Sequence, residues 1–371
     1  MRIGIDGRVL LDRKTGDRTY AKGLLHGLLQ LAERPELVVM LNHPPDQTLQ
    51  SRLPGVEFAV ASRPRGYLWT LIALPRLAAQ AHVDLLHVQY MTPFRAPCPV
   101  ITTVHDISFR LHPAWFPLRH RLVMNTFIPR SIRSAAAVIT PSEATADDIR
   151  REYGPPLPSL HVTPYATGPE FLLPPVPERM SACINRLGIV RPYMLYVGNL
   201  QPRKNVAGLL RSFVEARERA RFEHRLLIVG QQGWRCGAQM RALHDAEAAG
   251  HAIHAGYVDD ADLPALYAGA DAFLFPTLME GFGLPVLEAM GVGTPVLTSS
   301  VSSLPEVAGD AALLVNPADE RAITEAIEQL AADGALRARL REAGLKRAAQ
   351  FSWHRTARMT LEVYERAAAE R

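Results

Sequence analysis

Short apolar runs alternate along this chain with segments whose apolar residues recur at helical spacing. In the first half, runs of strand length lie at residues 2–6, 37–41, 85–88, 100–104 and 136–140. In the second half they lie at residues 193–197, 226–229, 253–255, 272–275, 295–298 and 312–315. Helical patterns separate them, as in parallel βαβ units. The pattern predicts an α/β fold with two successive Rossmann-like domains and a helical tail.

A proline-rich segment divides the two halves. Four prolines fall between Gly168 and Pro177, which is too many for the interior of a helix or strand. We therefore predict a first domain over residues 1–172, a linker over 173–188, a second domain over 189–350 and a C-terminal helix over 351–371. In open parallel sheets ligands bind beyond the carboxyl ends of the strands, so the loops that follow strands are where chemistry is expected.

Composition agrees with this organisation. The chain has 371 residues, of which 48% are hydrophobic and 21% charged, as in ordinary globular proteins. A single core rarely serves more than ~250–300 residues, which favours two domains. No apolar run reaches the ~18–20 residues of a membrane span, and residues 2–6 read as a strand instead of a signal peptide. Three widely spaced cysteines indicate reduced thiols, so a cytoplasmic location is expected.

Arginine is concentrated in one part of the first half. Nine arginines lie between Phe58 and Ser142, where the only acids are Asp84 and Asp106. Aromatic residues are mixed with them, among them Tyr67, Trp69, Trp115, Phe116 and Phe127. No nucleic-acid-binding motif accompanies them, so nucleic acid is not expected as a partner. Two interpretations stay open: a surface that faces anionic lipid, or a solvated arginine-rich face.

The segment 275–293 carries the densest candidate chemistry. Gly281 and Gly283 precede a helix that has Pro285 in its first turn, where proline is tolerated. Glycines before a helix start let the backbone approach a ligand, and the first helical N–H groups are free donors. Glu280 and Glu288 frame this turn. A glycosidase-like carboxylate pair is one interpretation, but a spacing of eight residues does not place them across one bond.

Two further strand-to-helix loops are candidates. Gly198 leads into the adjacent cations Arg203 and Lys204, which suit a diphosphate, although solvated surface charge is the alternative. The glycine spacing of a Walker loop is missing. His105 and Asp106 follow the strand at 100–104, and the histidine is interpreted either as a base or substrate ligand, or as a structural residue.

No metal or redox cofactor is expected. The histidines lack metal-ligand spacing with nearby carboxylates, and helix N-capping accounts for Asp260 and Asp262 before the helix at 263–268. The first strand is not followed by the Gly-x-Gly-x-x-Gly pattern of dinucleotide-binding proteins.

Five motifs of the second half occur in a characteristic order. They are Gly198-x4-Arg203-Lys204-Asn205, Gly256-Tyr257-Val258, Glu280-Gly281-Phe282-Gly283-Leu284-Pro285-x2-Glu288-Ala289, Gly293-Thr294-Pro295-Val296 and Leu304-Pro305-Glu306-Val307-x-Gly309. Together they resemble the GT-B glycosyltransferases of the large retaining family 4. Residues 103–106 and 140–143 extend the resemblance more weakly into the first half. It implies two Rossmann-like domains that face each other across a cleft, with the C-terminal helix packed back on the first.

The resemblance also implies roles. Arg203 and Lys204 would hold the diphosphate of a nucleotide-diphospho-sugar, and Glu280 the transferred sugar, with His105 as the fourth catalytic candidate, near the sugar or the acceptor. Glu288 would bind the ribose and Val258 would lie near the base. The other substrate-binding candidates are Gly16, Asp106, Gly198, Gly281, Phe282, Gly283 and Leu284. Gly16 is followed by Asp17 and Arg18 where the family has a small or apolar residue, and residues 162–168 replace a Pro-x-Gly-Val-Asp pattern, so the acceptor side departs from the family.

The expected activity is a metal-independent, retaining hexosyl transfer. Residues 107–121 with His105 resemble mannosyl-transferring members, so the donor expected is GDP-mannose and the acceptor a growing cell-surface glycan or its lipid-linked precursor. Peripheral contact with a membrane fits the arginine-rich segment. A UDP-sugar donor, or a nucleotide-sugar-binding protein that has lost transfer, are the alternatives.

Overall fold

The computed structural model describes residues 1–11, 15–61, 66–173 and 176–369, and the chain divides into two compact units. The first unit comprises Met1–Arg110, Arg119–Ala166 and Ser352–Arg371, and the second comprises Leu111–Leu118 and Thr167–Phe351. The change of unit after Ala166 falls before the predicted boundary at residue 172. The segment that was expected to be a linker contains a helix and belongs to the second unit.

The first unit is built on a parallel sheet with strand order β3-β2-β1-β4-β5-β6-β7. Its strands are β1 (Arg2–Asp6), β2 (Glu36–Leu41), β3 (Glu57–Val60), β4 (Leu85–Gln89), β5 (Val100–Thr103), β6 (Ala137–Thr140) and β7 (Ser159–Val162). The accompanying helices are α1 (Gly16–Leu29), α2 (Gln47–Arg52), α3 (Leu74–Gln80), α4 (Ser108–Leu111), α5 (Leu118–Ser134) and α6 (Glu143–Tyr153). In β1, an interior strand, Ile3 lies opposite Leu37 of β2 on one side and Leu85 of β4 on the other.

The second unit has a parallel sheet of order β10-β9-β8-β11-β12-β13. Its strands are β8 (Tyr193–Val197), β9 (Arg225–Val229), β10 (Ala252–Gly256), β11 (Ala272–Phe275), β12 (Val296–Ser299) and β13 (Ala312–Val315). Its helices are α7 (Pro177–Arg186), α8 (Val206–Ala220), α9 (Gly237–Ala248), α10 (Leu263–Gly269), α11 (Leu284–Gly291), α12 (Leu304–Ala308), α13 (Glu320–Ala332) and α14 (Gly334–Ala348). The two-domain parallel α/β fold predicted from the apolar alternation is confirmed.

Several local predictions differ from the structure. The strands β3 and β7 were not predicted, because they lie at sheet edges where most of their residues are only partly buried and the apolar signal is weak. Gly16, a substrate-binding candidate, lies in the first turn of α1, which Thr15 caps by accepting a hydrogen bond from the Arg18 N–H. Asp262 does not cap α10 with its side chain, because its carboxylate is paired with Arg186.

The C-terminal helix α15 (Trp353–Ala369) packs on α1, which confirms the prediction that it returns to the first domain. Gly23 and Gly27 make this approach possible. A Cβ at Gly23 would lie 2.1 Å from the Trp353 ring, and a Cβ at Gly27 would lie 2.2 Å from the Trp353 carbonyl oxygen. Thr356 also donates a hydrogen bond from its Oγ1 to the carbonyl oxygen of Pro164.

The aromatic residues of the arginine-rich segment do not share one exposed surface. Trp69 is fully buried, with its Nε1 donating to Asp6 Oδ1 over 3.1 Å, and Phe116 is buried in the second unit. The interpretation that places Trp69 and Phe116 on a lipid-facing surface is therefore wrong. Tyr67 and Phe127 stack with ring centroids 6.3 Å apart, and Phe127 also contacts Phe94 at 6.0 Å. Arg63 and Arg65 lie outside the described residues.

A chain of buried polar side chains joins α15 to the centre of the first sheet. The Tyr364 hydroxyl lies 2.5 Å from His87 Nδ1, and His87 Nε2 lies 2.7 Å from Thr103 Oγ1. Thr103 Oγ1 lies 2.9 Å from the hydroxyl of Tyr20. Burial, which would strip the charged imidazolium of its water, and to a smaller extent the nearby His105 together lower the pKa of His87 to about 3.

This buried histidine predicts acid lability. Below pH ~6.5 the unfolded chain gains a proton at His87 that the folded chain does not take up until about pH 3. The free energy of unfolding is therefore expected to fall by about 1.4 kcal/mol per pH unit between those limits. Urea unfolding from pH 7 to 4.5 tests this, and His87→Gln should flatten the dependence. Tyr364→Phe removes a bonded hydroxyl but keeps the imidazole, so it should keep the steep dependence. An equal slope in wild type and His87→Gln would contradict the assignment.

Among the helices of the described ranges, none combines the length and the apolar character that crossing a membrane requires.

Candidate active site

The loop after β8 is tied to the loop after β11. Residues Pro202–Lys204 form a 3₁₀ turn, and Asn205 adopts a left-handed conformation before α8. Asn205 Nδ2 donates to the carbonyl oxygens of Pro276, at 3.1 Å, and Pro317, at 2.8 Å. The Leu278 N–H donates to the carbonyl oxygen of Arg203 over 2.8 Å. Strands β8 and β11 are neighbours in the sheet, so their following loops leave from the same edge.

Two cations and one carboxylate meet where these loops touch. Lys204 Nζ lies 2.5 Å from Glu280 Oε1, and Arg203 Nη1 lies 3.0 Å from the same oxygen. Lys204 and Glu280 are each 7% exposed, so water screens their charges weakly. Arg203 Nη1 also lies 3.2 Å from the Met279 carbonyl oxygen. The cluster has a net charge of +1 on its three side chains, which favours an anionic ligand.

The turn after Glu280 is held by serines from a third loop. Ser303 Oγ donates to the carbonyl oxygens of Glu280, at 2.9 Å, and Phe282, at 2.8 Å. Ser302 Oγ accepts from the Glu280 N–H over 3.3 Å. Gly283 precedes α11 with a φ of +114°, a conformation that L side chains rarely adopt, so glycine is required there. The backbone of Gly281–Leu284 is therefore fixed in one shape while the Phe282 ring packs against Phe351.

The remaining candidates of the second unit lie on α11 and just beyond the ends of β10 and β8. Glu288 is 5% exposed on α11, and its Oε2 accepts a hydrogen bond of 3.0 Å from the Tyr267 hydroxyl. Burial raises the pKa of Tyr267, and the Glu288 carboxylate raises it further, so the phenol remains a donor. Val258 is buried just beyond the end of β10. Gly198 follows the last residue of β8.

His105 is enclosed at the end of β5 in the first unit. Its Nδ1 lies 2.5 Å from the Tyr165 hydroxyl, and its Nε2 lies 2.7 Å from Gln89 Oε1. Asp17 Oδ1 lies 3.7 Å from Nε2. Burial lowers the pKa of His105, and the carboxylates of Asp17 and Asp106 offset part of that effect. The imidazole is therefore held neutral near pH 7, and a role as a cation is disfavoured.

The two other candidates of the first unit differ in their surroundings. Asp106 Oδ1 accepts hydrogen bonds from the Ser108 N–H, at 2.8 Å, and from Ser108 Oγ, at 2.5 Å, so it organises the start of α4. Gly16 is exposed, and a Cβ built on it would meet no described atom within 4 Å.

The structure brings Arg203, Lys204 and Glu280 into direct contact. The sequence implied a separate role for each of them and did not predict that contact. It also adds residues to which the sequence interpretation gave no role: Asp17, Gln89, Tyr165, Tyr267, Ser302 and Ser303. Three of them, Tyr165, Ser302 and Ser303, lie in loops that follow strands, and that position was the one available signal. Gln89 is the last residue of β4, and Asp17 and Tyr267 lie in α1 and α10. In the ranges that the structure describes, no group of three or more His, Cys, Asp or Glu side chains is placed to hold a metal ion.

Two parallel α/β units, with a cationic cluster and a fixed glycine turn at the strand ends of one of them, define a GT-B glycosyltransferase, a hexosyl-transferring enzyme. Residues 186–347 match the family of glycosyl transferases group 1, and residues 17–166 match glycosyltransferase family 4. The chain belongs to this family.

Named relatives agree with the assignment. The chain is 35% identical to the O-antigen chain mannosyltransferase B of Escherichia coli, over 71% of this chain and 70% of that protein. It is 30% identical to the MMP alpha-(1->4)-mannosyltransferase of Mycolicibacterium hassiacum, over 65% of this chain and 56% of that one. Among solved structures it resembles the sucrose-phosphate synthase of Thermosynechococcus elongatus, with a TM-score of 0.74, 20% identity and full coverage of both chains.

Proposed function

We propose that this enzyme transfers mannose from GDP-mannose to a growing cell-surface glycan or its lipid-linked precursor, with retention at the anomeric carbon. The observation that supports it most is the cluster in which two cations share one oxygen of Glu280. A departing nucleoside diphosphate gains negative charge, and cations held in place before the reaction stabilise that charge at no cost in reorganisation. The mannosyltransferase names of both relatives support the choice of sugar.

The cluster suggests how its members act in turn. Glu280 neutralises part of the charge of Arg203 and Lys204. A diphosphate carries more charge than one carboxylate, so in our proposal it takes over both cations and leaves Glu280 to accept a hydrogen bond from a sugar hydroxyl. The Gly281–Leu284 backbone contacts the same sugar. Glu288 binds the ribose hydroxyls, as Tyr267 holds its carboxylate in one orientation, and Val258 and Gly198 border the nucleotide.

The leaving group needs no metal ion in this proposal, because Arg203 and Lys204 provide the charge that a divalent cation supplies in other sugar transferases. From the first unit, His105 contributes a neutral imidazole to the sugar or the acceptor, and Gly16 and Asp106 border it.

A ligand screen tests the donor. We expect GDP-mannose, at about a hundredfold excess over its Kd and in the presence of EDTA, to raise the melting temperature by about 5 °C. UDP-, ADP- and dTDP-sugars should raise it much less, and Lys204→Met should abolish the shift. Release of GDP from GDP-mannose under the same conditions tests the chemistry. A melting-temperature shift with UDP-sugars alone would contradict GDP-mannose as the donor. Release of GDP that requires an added divalent ion would contradict the metal-free mechanism.

Peripheral contact with an anionic membrane is part of the proposal. The aromatic–arginine patch of the first unit consists of Tyr67, Phe94, Phe127 and Arg130. Tyr67 is 49% and Phe94 52% exposed, although large aromatic side chains usually avoid water. The Arg130 guanidinium carbon lies 4.2 Å from the centroid of the Phe94 ring. Aromatic rings beside arginine match the interfacial layer of a bilayer with acidic headgroups.

Vesicle co-sedimentation tests this contact. The protein should sediment with vesicles that contain phosphatidylglycerol at low salt, much less at high salt, and little with neutral phosphatidylcholine vesicles. The double variant Tyr67→Ser, Phe94→Ser should lose most of the binding. Val190→Ser removes an exposed apolar residue of the second unit and serves as the control. Equal binding by wild type and the double variant would rule out the patch as the docking surface.

A further inference from the structure

Residues Leu111–Leu118, which we call the arm, belong to the second unit although the chain on either side of them belongs to the first. The arm begins at the last residue of α4 and ends at the first residue of α5, and Pro113–Trp115 form a 3₁₀ turn at its centre. It lies within residues 107–121, whose sequence resembles mannosyl-transferring members and which have no role in the proposed transfer. The arm is thus a part of the second unit that the chain supplies from outside it.

The arm is held by the loop that follows β9, residues 230–236. Arg235 Nη1 donates a hydrogen bond of 2.8 Å to the carbonyl oxygen of Ala114. The buried ring of Phe116 packs against the ring of Trp234, with the ring centroids 5.6 Å apart. A hydrogen bond from a charged group and an aromatic pair therefore join the arm to this loop, and both kinds of contact are among the stronger ones between side chains and their surroundings.

The backbone of Arg235 has an unfavourable conformation. Its φ is +54°, in the left-handed region that residues with a side chain rarely adopt. Such conformations persist where the surrounding contacts fix them, and they are frequent at functional sites. The hydrogen bond to Ala114 is a contact of this kind, so the arm helps to fix the shape of the loop that holds it.

The same loop is bonded to the loop that carries the two cations, residues 198–205. The Leu200 N–H donates to the carbonyl oxygen of Gln231 over 2.9 Å, and the Gly233 N–H donates to the carbonyl oxygen of Leu200 over 3.1 Å. A Cβ at Gly233 would lie 2.4 Å from Cγ of Gln201, so the two loops are in direct contact. The cations follow Leu200 by three and four residues. A change in the shape of the loop after β9 is therefore expected to displace them.

We propose that Trp234 and Arg235 are positioning residues for the diphosphate site. Anchored on the arm, they hold the loop after β9, and through it they hold Arg203 and Lys204 where a diphosphate can bind. This inference rests on the proposed function, in which those two cations meet the diphosphate of the donor, and it adds residues that act through them. Cations stabilise the charge of a leaving group well only when they are held in place before the reaction.

Hydrogen exchange tests the structural step without any ligand. Arg235→Asn removes the guanidinium, and asparagine adopts the left-handed conformation more readily than arginine. The amides of Leu200 and Gly233 should exchange severalfold faster in the variant, because the hydrogen bonds between the two loops open more often. Arg221→Asn is the matched control, since Arg221 is an exposed arginine of the same unit with a φ of +52°, at the end of α8, and it should leave the exchange unchanged. Equal protection in the wild type and Arg235→Asn would overturn the proposal.

Calorimetric titration tests the consequence for binding. In EDTA, Arg235→Asn should bind inorganic pyrophosphate about tenfold more weakly than the wild type, since a hydrogen bond from a charged group is worth at least about one order of magnitude in an equilibrium constant. Guanosine, which has the base and the ribose but no phosphate, should bind both proteins equally. Trp234→Ser should behave like Arg235→Asn, and Trp234→Phe, which keeps a ring beside Phe116, should restore most of the pyrophosphate affinity. Arg221→Asn should match the wild type.

The pattern of losses decides the role of these residues. Trp234 is 38% exposed, so its ring could instead stack on the base of the nucleotide. In that case Trp234→Ser would lose guanosine binding and keep pyrophosphate binding, which would overturn the positioning role. A wild type that binds pyrophosphate but not GDP-mannose would contradict the proposed donor, while the comparison with Arg235→Asn would still decide this inference. Normal pyrophosphate binding in both Arg235→Asn and Trp234→Ser would end the inference and leave the proposed function intact.

Discussion

Replacing Lys204 by methionine is expected to reduce kcat by about 10²–10³, the usual effect of removing one fixed group that stabilises charge in the transition state. Methionine has nearly the length and apolar stem of lysine, so it should fill the same buried space beside the Phe275 ring, which lies 4.8 Å from Lys204 Nζ. Glu280 keeps Arg203 as its partner in the variant. The folded structure should therefore persist while the charge that meets the departing diphosphate is lost. Initial rates of GDP release from GDP-mannose measure the effect.

A matched variant separates this effect from a general loss of surface charge. Lys346→Met removes a lysine of the same unit that is paired with Glu342 at 2.6 Å, with both side chains more than 70% exposed. It should retain the wild-type rate and melting temperature, since exposed ion pairs contribute little. Near-normal kcat in Lys204→Met, with the fold intact by circular dichroism, would remove Lys204 from the chemistry.

Replacing Glu280 by glutamine is expected to have opposite effects on binding and on turnover. Two cations would lose the one carboxylate oxygen that they share, and breaking a buried ion pair from one side costs about 3 kcal/mol. Free GDP should then bind about tenfold more tightly than to the wild type, because its diphosphate no longer competes with a carboxylate. Turnover should nevertheless fall, because the amide oxygen of glutamine is a weaker acceptor for the sugar hydroxyl than a carboxylate oxygen.

Calorimetric titration with GDP and melting curves with and without GDP measure the change in binding, and initial rates of GDP release from GDP-mannose measure the change in turnover. GDP should therefore raise the melting temperature of Glu280→Gln by more than it raises that of the wild type. Glu320→Gln is the control, because Glu320 forms a half-exposed ion pair with Arg211 in the same unit and its loss should be small. Weaker GDP binding in Glu280→Gln would contradict competition between the carboxylate and the diphosphate.

The elements that the sequence predicted well are those with continuous burial. Strands β8 and β11 begin and end where the apolar runs do, because parallel strands covered on both faces need uninterrupted apolar residues. The edge strand β7 escaped prediction, as its residues are half-exposed. The helix α7 escaped because prolines precede it, although Pro177 itself begins the helix, where a missing N–H has no consequence.

In the candidate site, single residues could be predicted from the sequence, but the contacts between them could not. Arg203, Lys204 and Glu280 were each recognisable from their motifs, but the shared oxygen was not, because 76 residues separate the lysine from the glutamate. For His105, the motif indicated a position at a strand end. Its two hydrogen-bond partners, Gln89 and Tyr165, contribute through contacts that no local pattern encodes.

The sequence by itself determined the alternation of strands and helices, the family and the residues that carry charge, since these follow from local periodicity and from motifs within single loops. The tertiary structure decided which loops meet. In the second sheet β8 lies beside β11, and β11 lies beside β12, so three distant loops converge on Glu280. In the first sheet β4 and β5 are neighbours, which brings Gln89 to His105. Strand order is set by packing over the whole domain, and for that reason only the folded chain shows which charges share a partner and which are left for a ligand.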